Sequence, residues 1–268
     1  MITSLHSPHV EGVKALLGSR GVKERRERGL FVVEGASSFR EALGSNTSRI
    51  ETLYLTDDGR SRISDLDLSA LNVFEVSPQV MAAMSDTVSP QGILALVKID
   101  KGSFEEWFAR ENSSAKKIAY FWQLQDPGNA GTVIRAADAF GLDAVLFSDN
   151  SVDIYGPKVV RSSVGSHWHL PIFCEISWES IRGFAKSNGI SLYALDADGR
   201  KELLASAQDS AGGSSIWIFG NEARGLPDDI TRDTSVTTVA IPMSGRAESL
   251  NLASAASVVM YAVGQSVK

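Results

Sequence analysis

Short apolar segments alternate with helix-like segments from about residue 118 onward, and this alternation constrains the fold more than any other feature. Strands that alternate with helices of this length pack as a mostly parallel sheet with helices on both faces. The pattern therefore predicts an α/β domain. The expected strands are 118–124, 144–147, 170–174, 191–195, 215–219 and 237–241, and the expected helices are 132–140, 155–164, 178–188 and 249–263.

The first hundred residues show the same alternation on a smaller scale. A polar stretch with only three aromatic residues separates them from the second half, as is typical of a linker with a short docking helix. We therefore expect a small α/β domain over 1–98, a linker over 99–116 and a larger domain over 117–268. In the small domain the expected helices are 7–17, 36–43 and 78–84, and the expected strands are 30–33, 52–55, 73–76 and 93–97.

Composition places the chain among ordinary globular proteins. Its 268 residues are 43% hydrophobic and 22% charged, which suits a sizeable core. The single cysteine, Cys174, excludes an intrachain disulfide and a cysteine-rich zinc site. No cysteine or carboxylate completes a zinc set with His167 and His169, so no metal is expected. With no targeting segment and no membrane-length apolar run in the sequence, the expected location is the cytoplasm.

Three polar segments follow expected strands in the second half. They read Asp126-Pro-Gly-Asn-Ala-Gly-Thr-Val-Ile-Arg135, Ile216-Trp-Ile-Phe-Gly-Asn-Glu-Ala-Arg-Gly-Leu-Pro227 and Ile241-Pro-Met-Ser-Gly-Arg-Ala-Glu-Ser-Leu-Asn-Leu252. Parallel α/β proteins bind ligands beyond the carboxyl ends of their strands, so the three segments are expected to meet at one site. The sequence has neither GxGxxG after a strand nor GxxxxGK[ST], so the usual dinucleotide and triphosphate sites are not predicted.

In order and spacing, these segments resemble motifs 1, 2 and 3 of the SpoU branch of the SPOUT class of RNA methyltransferases, over residues 116–265. The resemblance implies methyl transfer from S-adenosyl-L-methionine to a ribose 2′-hydroxyl of RNA. It also implies a C-terminal trefoil knot, a feature that is otherwise very rare. The first domain is similar to the L30e-like substrate-binding domain that precedes many such catalytic domains, chiefly over Arg26-Glu-Arg-Gly-Leu-Phe-Val-Val-Glu-Gly35. The alternative interpretation of that segment, which is less favoured, is a strand that ends in a glycine turn.

The resemblance implies a polar catalytic site with residues from all three motifs. Arg135 matches the residue often assigned as the base for the ribose hydroxyl, but a guanidinium is very hard to deprotonate. Holding a phosphate and stabilising a developing alkoxide are physically easier roles for it. Asn251 could alternatively be only a helix cap. The predicted catalytic residues are Arg135, Asn129, Ser249, Asn251 and Glu222, with Arg224 and Glu248 as further polar residues at the rim.

The resemblance also implies a cofactor site built from loop backbone and apolar side chains. Gly220 would permit close approach of the backbone, whereas Leu195 and Leu252 could equally be core residues. The predicted cofactor-binding residues are Leu195, Gly220, Asn221, Ile241, Met243, Leu250 and Leu252.

RNA contact depends on local positive charge, because the net charge of −6 by itself argues against a nucleic-acid partner. Basic residues cluster over 14–28 and again after residue 155, although such clusters are often only solvated faces. The predicted RNA-binding residues are Arg25, Arg26, Arg28, Arg135 and Arg161.

The separate first domain favours ribosomal over transfer RNA as the substrate, because relatives of that domain hold folded RNA loops. An apolar helix expected over 250–263, together with the resemblance, favours a homodimer. The leading alternative from another functional class is a catalytically silent RNA-binding protein with the same fold. The polar residues of the three motifs argue against it.

Overall fold

A computed structural model describes residues 1–18, 21–110, 115–247 and 249–266. The chain forms two compact units. The first unit comprises Met1–Lys101 with Asp153–Trp168, and the second comprises Gly102–Val152 with His169–Lys268. The predicted domain boundaries differ from this division chiefly at 153–168, because the sequence predicts these residues as part of the larger domain. Residues 111–114 of the predicted linker lie outside the described residues.

The first unit contains a four-stranded sheet in the order β1-β4-β2-β3, in which β4 is antiparallel to both neighbours and β2 is parallel to β3. Its strands are β1 (Leu30–Glu34), β2 (Ile50–Leu55), β3 (Val73–Glu75) and β4 (Ile93–Lys98). Its helices are α1 (Pro8–Leu16), α2 (Gly21–Arg28), α3 (Ala36–Ser45), α4 (Asp57–Arg62), α5 (Pro78–Met84) and α8 (Pro157–Ser162).

Helices cover both faces of this sheet. Two of them, α1 and α5, begin with a serine cap followed by proline, which supplies a hydrogen-bond acceptor and a fixed φ angle at the first turn. Their apolar side chains pack on one face of the sheet. Residues of α3 and α8 pack on the other face. The unit therefore has a core on each side of a single sheet.

The second unit contains a seven-stranded sheet in the order β7-β6-β5-β10-β8-β11-β9, and its strand pairs are parallel throughout the described residues. The predicted α/β class with a mostly parallel sheet is therefore confirmed, while the trefoil knot remains a prediction. The strands are β5 (Lys117–Phe121), β6 (Ala144–Phe147), β7 (Ile172–Phe173), β8 (Ser191–Leu195), β9 (Lys201–Glu202), β10 (Ser215–Phe219) and β11 (Val236–Ala240). The helices are α6 (Phe104–Arg110), α7 (Pro127–Ala139), α9 (Trp178–Asn188), α10 (Leu203–Asp209), α11 (Asp228–Thr231) and α12 (Leu252–Gln265).

Two helices of the second unit begin elsewhere than the sequence suggested, and both differences concern the site. The start of α7 is at Pro127 rather than residue 132, because Asp126 caps it by accepting from the backbone N–H of Asn129. The start of α12 is at Leu252 rather than residue 249, because Asn251 caps it. The loop before α7 is therefore shorter than predicted, and the loop before α12 is longer. No helix in the described part of the chain is long and apolar enough to cross a membrane.

Candidate functional site

The carboxyl ends of three parallel strands border a cavity of about 200 Å³ in the second unit. Its walls come from the segments that follow β8, β10 and β11, and from the start of α12. All seven residues predicted to bind the cofactor line this cavity: Leu195, Gly220, Asn221, Ile241, Met243, Leu250 and Leu252. The structure thus brings together residues that are far apart in the sequence.

The cavity is lined mainly by apolar side chains and loop backbone, which suits a ligand with an adenine ring and an aliphatic chain. Met243 and Leu250 are 41% and 40% exposed, so both present apolar surface to a ligand. Six further residues complete the described lining: Asp196, Ala197, Glu222, Gly225, Ser249 and Ala255. The residues present therefore fit S-adenosyl-L-methionine.

Gly220 is required by the loop itself rather than by a ligand. A Cβ atom at this position would lie 2.4 Å from the carbonyl carbon of Gly225 and 2.7 Å from the backbone nitrogen of Leu226. The loop closes there because Asn221 and Gly225 exchange two backbone hydrogen bonds of 2.9 Å. The expected close approach at Gly220 is therefore present, but the approaching backbone belongs to the same loop.

The carboxylate of Glu222 joins the second motif to the first. It accepts hydrogen bonds from the backbone N–H groups of Gln125 at 3.3 Å and Asp126 at 3.1 Å. It also accepts one from the side-chain amide of Asn129 at 3.3 Å. Three donors that precede or begin α7 therefore converge on one side chain, and hydrogen bonds to a charged acceptor are the stronger kind.

Asn129 continues the connection to the third motif. Its Oδ1 accepts a hydrogen bond of 3.4 Å from the Nδ2 of Asn251. Asn251 in turn caps α12, since its own Oδ1 accepts from the backbone N–H groups of Ala253 and Ser254. The cap that the sequence left as an alternative role is therefore present together with the contact to Asn129. Ser249 lies next to this cap and lines the cavity.

Gln123 provides a second connection between the first two motifs, and sequence analysis did not identify it. Its φ of 46° is in the left-handed region, which is uncommon for a residue other than glycine. Its carbonyl oxygen accepts from Asn221 Nδ2 at 2.7 Å, and its Oε1 accepts from Arg224 at 3.2 Å. Gln123 therefore anchors the loop at 220–225. Only its unusual backbone conformation distinguishes it, and no residue pattern signals that conformation.

Arg135 lies on the exposed face of α7, between the buried positions Ile134 and Ala136. Within the described part of the chain, no hydrogen bond or ion pair holds its guanidinium. An exposed cation without an internal partner is available to an anionic ligand such as phosphate. Asn129 and Arg135 both lie on α7, whereas the helix expected over 132–140 did not include Asn129. Glu248, the remaining polar residue predicted for the third motif, lies outside the described residues.

The residues predicted to bind RNA in the first unit differ in their surroundings. Arg25 does not fit the prediction, because it is only 3% exposed and its Nε donates to Asp153 at 2.7 Å. Its guanidinium also donates to the carbonyl of Leu16. Arg26 and Arg28 lie on the exposed surface of α2. Arg161 forms an ion pair of 2.7 Å with Asp86, which partly neutralises its charge.

Comparison with known protein families assigns the chain to a class. The model of the SpoU rRNA Methylase family matches residues 116–261, which is more than half of the chain. A model of an MRM3-like substrate binding domain matches residues 8–95. The chain therefore belongs to the SpoU rRNA methylase family, as the resemblance of its three motifs predicted.

Individual relatives are similar over nearly the full length. The 23S rRNA (guanosine(2553)-2′-O)-methyltransferase RlmP of Bacillus subtilis is 32% identical, over 89% of this chain and 90% of its own length. A 23S rRNA (uridine(2479)-2′-O)-methyltransferase of Streptomyces viridochromogenes is 29% identical, over 92% and 86%. The crystal structure of the SpoU methyltransferase AviRb of S. viridochromogenes in complex with AdoMet aligns with a TM-score of 0.82 at 25% identity, over 97% of this chain and 98% of that one.

Proposed function

We propose that this protein transfers a methyl group from S-adenosyl-L-methionine to a ribose 2′-hydroxyl of 23S ribosomal RNA. The hydrogen-bonded chain from Glu222 through Asn129 to Asn251 carries the proposal, because it joins all three motifs beside one cavity. Relatives that are 32% and 29% identical are named as 23S rRNA 2′-O-methyltransferases, which supports the same substrate class.

The cavity residues have distinct proposed roles toward the cofactor. Met243, Leu250 and Ile241 provide apolar walls, and the loop closed by Asn221 and Gly225 offers backbone groups. When bound, S-adenosyl-L-methionine would supply a methyl group on a positively charged sulfur. Its transfer to the ribose oxygen would leave neutral S-adenosylhomocysteine, and the proton of the hydroxyl would pass to water.

Arg135 and the hydrogen-bonded asparagines act on the RNA side in this proposal. The exposed guanidinium of Arg135 holds a backbone phosphate and stabilises the alkoxide as the hydroxyl loses its proton. The hydrogen bonds among Asn129, Asn251 and Glu222 keep the motif loops in a fixed arrangement. The loops therefore lose little conformational entropy when the reaction takes place. Ser249 lines the cavity, which supports a role for its hydroxyl toward the reacting ribose.

The first unit is proposed to hold the RNA. Its match to an MRM3-like substrate binding domain supports this role, as do the exposed Arg26 and Arg28 of α2. Arg161 is retained as a weaker candidate, since RNA phosphate would have to compete with Asp86. Because the proposed substrate is part of the ribosome, we place the protein in the cytoplasm.

A homodimer is proposed as the working form. The last helix, α12, presents Val258 and Tyr261 at 42% and 55% exposure, and apolar side chains of this size favour burial against a second copy. Light scattering at micromolar concentration is expected to give twice the mass of the chain. A monomer mass would contradict the dimer without affecting the proposed reaction.

Incubation with labelled S-adenosyl-L-methionine and total RNA tests the function itself. We expect label on ribose hydroxyls of 23S ribosomal RNA, and mapping of ribose methylation in a deletion strain should show the loss of a ribosomal position. Label on bases, or loss of a transfer-RNA methyl with every ribosomal position unchanged, would contradict the proposal. Failure to bind the cofactor at all would favour a catalytically silent RNA-binding protein.

A further inference from the structure

Asp196 is an acidic residue in the lining of the cavity, and none of the three motifs includes it. It directly follows β8, and its backbone N–H donates to the carbonyl of Val239 in β11 at 3.0 Å. Its Oδ1 accepts from the backbone N–H of Asp198, also at 3.0 Å. These two hydrogen bonds fix both the backbone and the side chain of Asp196 at the cavity.

Asp196 and Glu222 are the charged side chains in the described lining of the cavity. The carboxylate of Glu222 already accepts three hydrogen bonds, from Gln125, Asp126 and Asn129. Among the described residues, the carboxylate of Asp196 accepts only the one from Asp198, and no basic side chain is paired with it. Its negative charge is therefore the less compensated of the two and is available to a cationic ligand.

We infer that Asp196 makes the site prefer the positively charged methyl donor over the neutral product, S-adenosylhomocysteine. The inference rests on the proposed function, since it assumes that this cofactor occupies the cavity. The two molecules share the adenosine, the amino group and the carboxylate, and they differ by one methyl group and the positive charge on sulfur. A carboxylate close to the bound cofactor therefore attracts the donor more strongly than the product.

The size of this preference follows from electrostatics in a partly exposed site. A unit charge pair a few ångströms apart, at a dielectric close to that of water, is expected to change the affinity ratio on the order of tenfold. Because the charge on sulfur disappears during transfer, this attraction stabilises the bound donor rather than the transition state, and it does not raise the rate of the chemical step. Asp196 would instead favour exchange of product for fresh donor.

The Asp196→Asn substitution removes the charge and leaves the local structure in place. An asparagine Oδ1 accepts from the N–H of Asp198 as the carboxylate does, and the two side chains have nearly the same shape. Asp198→Asn is the matched control, because Asp198 is exposed two residues away and is not among the residues that line the cavity. Asp196→Glu retains the charge with one further methylene.

Isothermal titration of the full-length protein with S-adenosylmethionine and with S-adenosylhomocysteine tests the inference without using activity. In Asp196→Asn we expect weaker binding of the donor on the order of tenfold, with product binding changed less than about twofold. Asp198→Asn should leave the ratio of the two affinities unchanged.

The outcomes separate the inference from the proposed function. If the wild type binds both molecules and Asp196→Asn leaves their affinity ratio unchanged, or weakens both equally, the inference fails and the proposed function stands. If the wild type binds neither molecule, both fail. If the thermal midpoint of Asp196→Asn falls well below that of the wild type, Asp196→Glu is measured in its place. Asp196→Glu is expected to retain the preference for the donor. Loss of the preference in Asp196→Glu would also overturn the inference.

Discussion

The side-chain amide of Asn129 donates a hydrogen bond of 3.3 Å to the carboxylate of Glu222, and these two residues link the helix start after β5 to the loop after β10. The orientation of the Asn129 amide follows from its two partners. Its Nδ2 faces the acceptor Glu222, and its Oδ1 faces the donor Asn251. A carboxylate at position 222 therefore determines how Asn129 meets Asn251.

The first prediction concerns Glu222→Gln. A glutamine amide presents a donor where Gln125 and Asp126 already donate, so at least one backbone N–H loses its partner. We expect the free energy of unfolding to fall by about 1–3 kcal/mol and methyl transfer to fall much further, because fewer hydrogen bonds hold the first two motifs together. Urea denaturation and steady-state kinetics measure the two effects. Glu179→Gln, at an exposed position on α9, should change stability by no more than about 0.5 kcal/mol. Equal behaviour of the two variants would count against the proposed connection.

The sequence predicted the second unit well because strand–helix alternation leaves few arrangements for a parallel sheet. Four elements have the predicted bounds without change: β6 (Ala144–Phe147), α9 (Trp178–Asn188), β8 (Ser191–Leu195) and β10 (Ser215–Phe219). Each is a compact apolar or amphipathic segment with clear flanking signals. Short elements such as β9 (Lys201–Glu202) were missed, because two exposed charged residues form a strand only through pairing with β11.

The site could be predicted as a set of residues but not as a set of contacts. The family resemblance gave Glu222, Asn129 and Asn251 together, yet their hydrogen bonds depend on where α7 and α12 begin. For Arg25, the predicted place in the structure itself was wrong. Its basic neighbours made it look like a surface residue, and the structure buries it against Asp153, 128 residues away in the sequence. Local charge patterns carry no information about such a distant partner.

The second prediction concerns Arg135→Ala. The guanidinium is exposed and does not line the cavity, so its removal should leave the affinity for S-adenosylmethionine nearly unchanged. Loss of one oriented charge typically costs about 10²–10³ in rate, and RNA affinity should weaken as well. Arg232→Ala, at an exposed position directly after α11, is the control and should leave all three measurements unchanged. An Arg135→Ala protein that loses cofactor binding and keeps its RNA affinity would reverse the assignment of the two sides.

The third prediction concerns Gly220. Either Gly220→Ala or Gly220→Val places a Cβ against the backbone of Gly225 and Leu226, so the loop must open. We expect both variants to lose cofactor binding in titration and to unfold at a lower temperature, with valine the worse of the two. Gly212→Ala has open space at its Cβ position and serves as the control. Loss of cofactor binding without any loss of stability would mean that Gly220 serves the ligand directly rather than the loop.

The fourth prediction separates Arg25 from Arg26. Arg25→Ala leaves the carboxylate of Asp153 without its buried partner, so it should destabilise the protein by about 3–5 kcal/mol. Replacing both residues together, as Arg25→Met with Asp153→Leu, should recover part of that loss. Arg26→Ala, at an exposed position, should change stability by no more than about 0.5 kcal/mol and weaken RNA binding. The slope of log affinity against log salt concentration should become smaller by about one. Thermal denaturation measures stability, and RNA titration at several salt concentrations measures RNA binding. If Arg25 were the phosphate ligand, Arg25→Ala would weaken RNA binding and leave stability nearly unchanged.

The fifth prediction concerns acid stability and His167. This imidazole is buried, with its Nε2 donating to the carbonyl of Ile154 at 2.9 Å and its Nδ1 lying 2.6 Å from the hydroxyl of Ser163. Burial lowers the pKa of His167 to about 4, because the charged form is poorly solvated there. The unfolded chain then binds more protons than the folded chain between pH 6.5 and about 4, so stability falls as the pH is lowered through that window. The loss of stability attributable to His167 approaches roughly 3 kcal/mol at the acid end of this window.

Urea denaturation at pH 7 and pH 4.5 measures this effect. The stability of His167→Gln should depend less on pH than that of the wild type. The control His6→Gln, at an exposed position, should retain the wild-type dependence. The same pH dependence in all three proteins would show that His167 is not the titrating group.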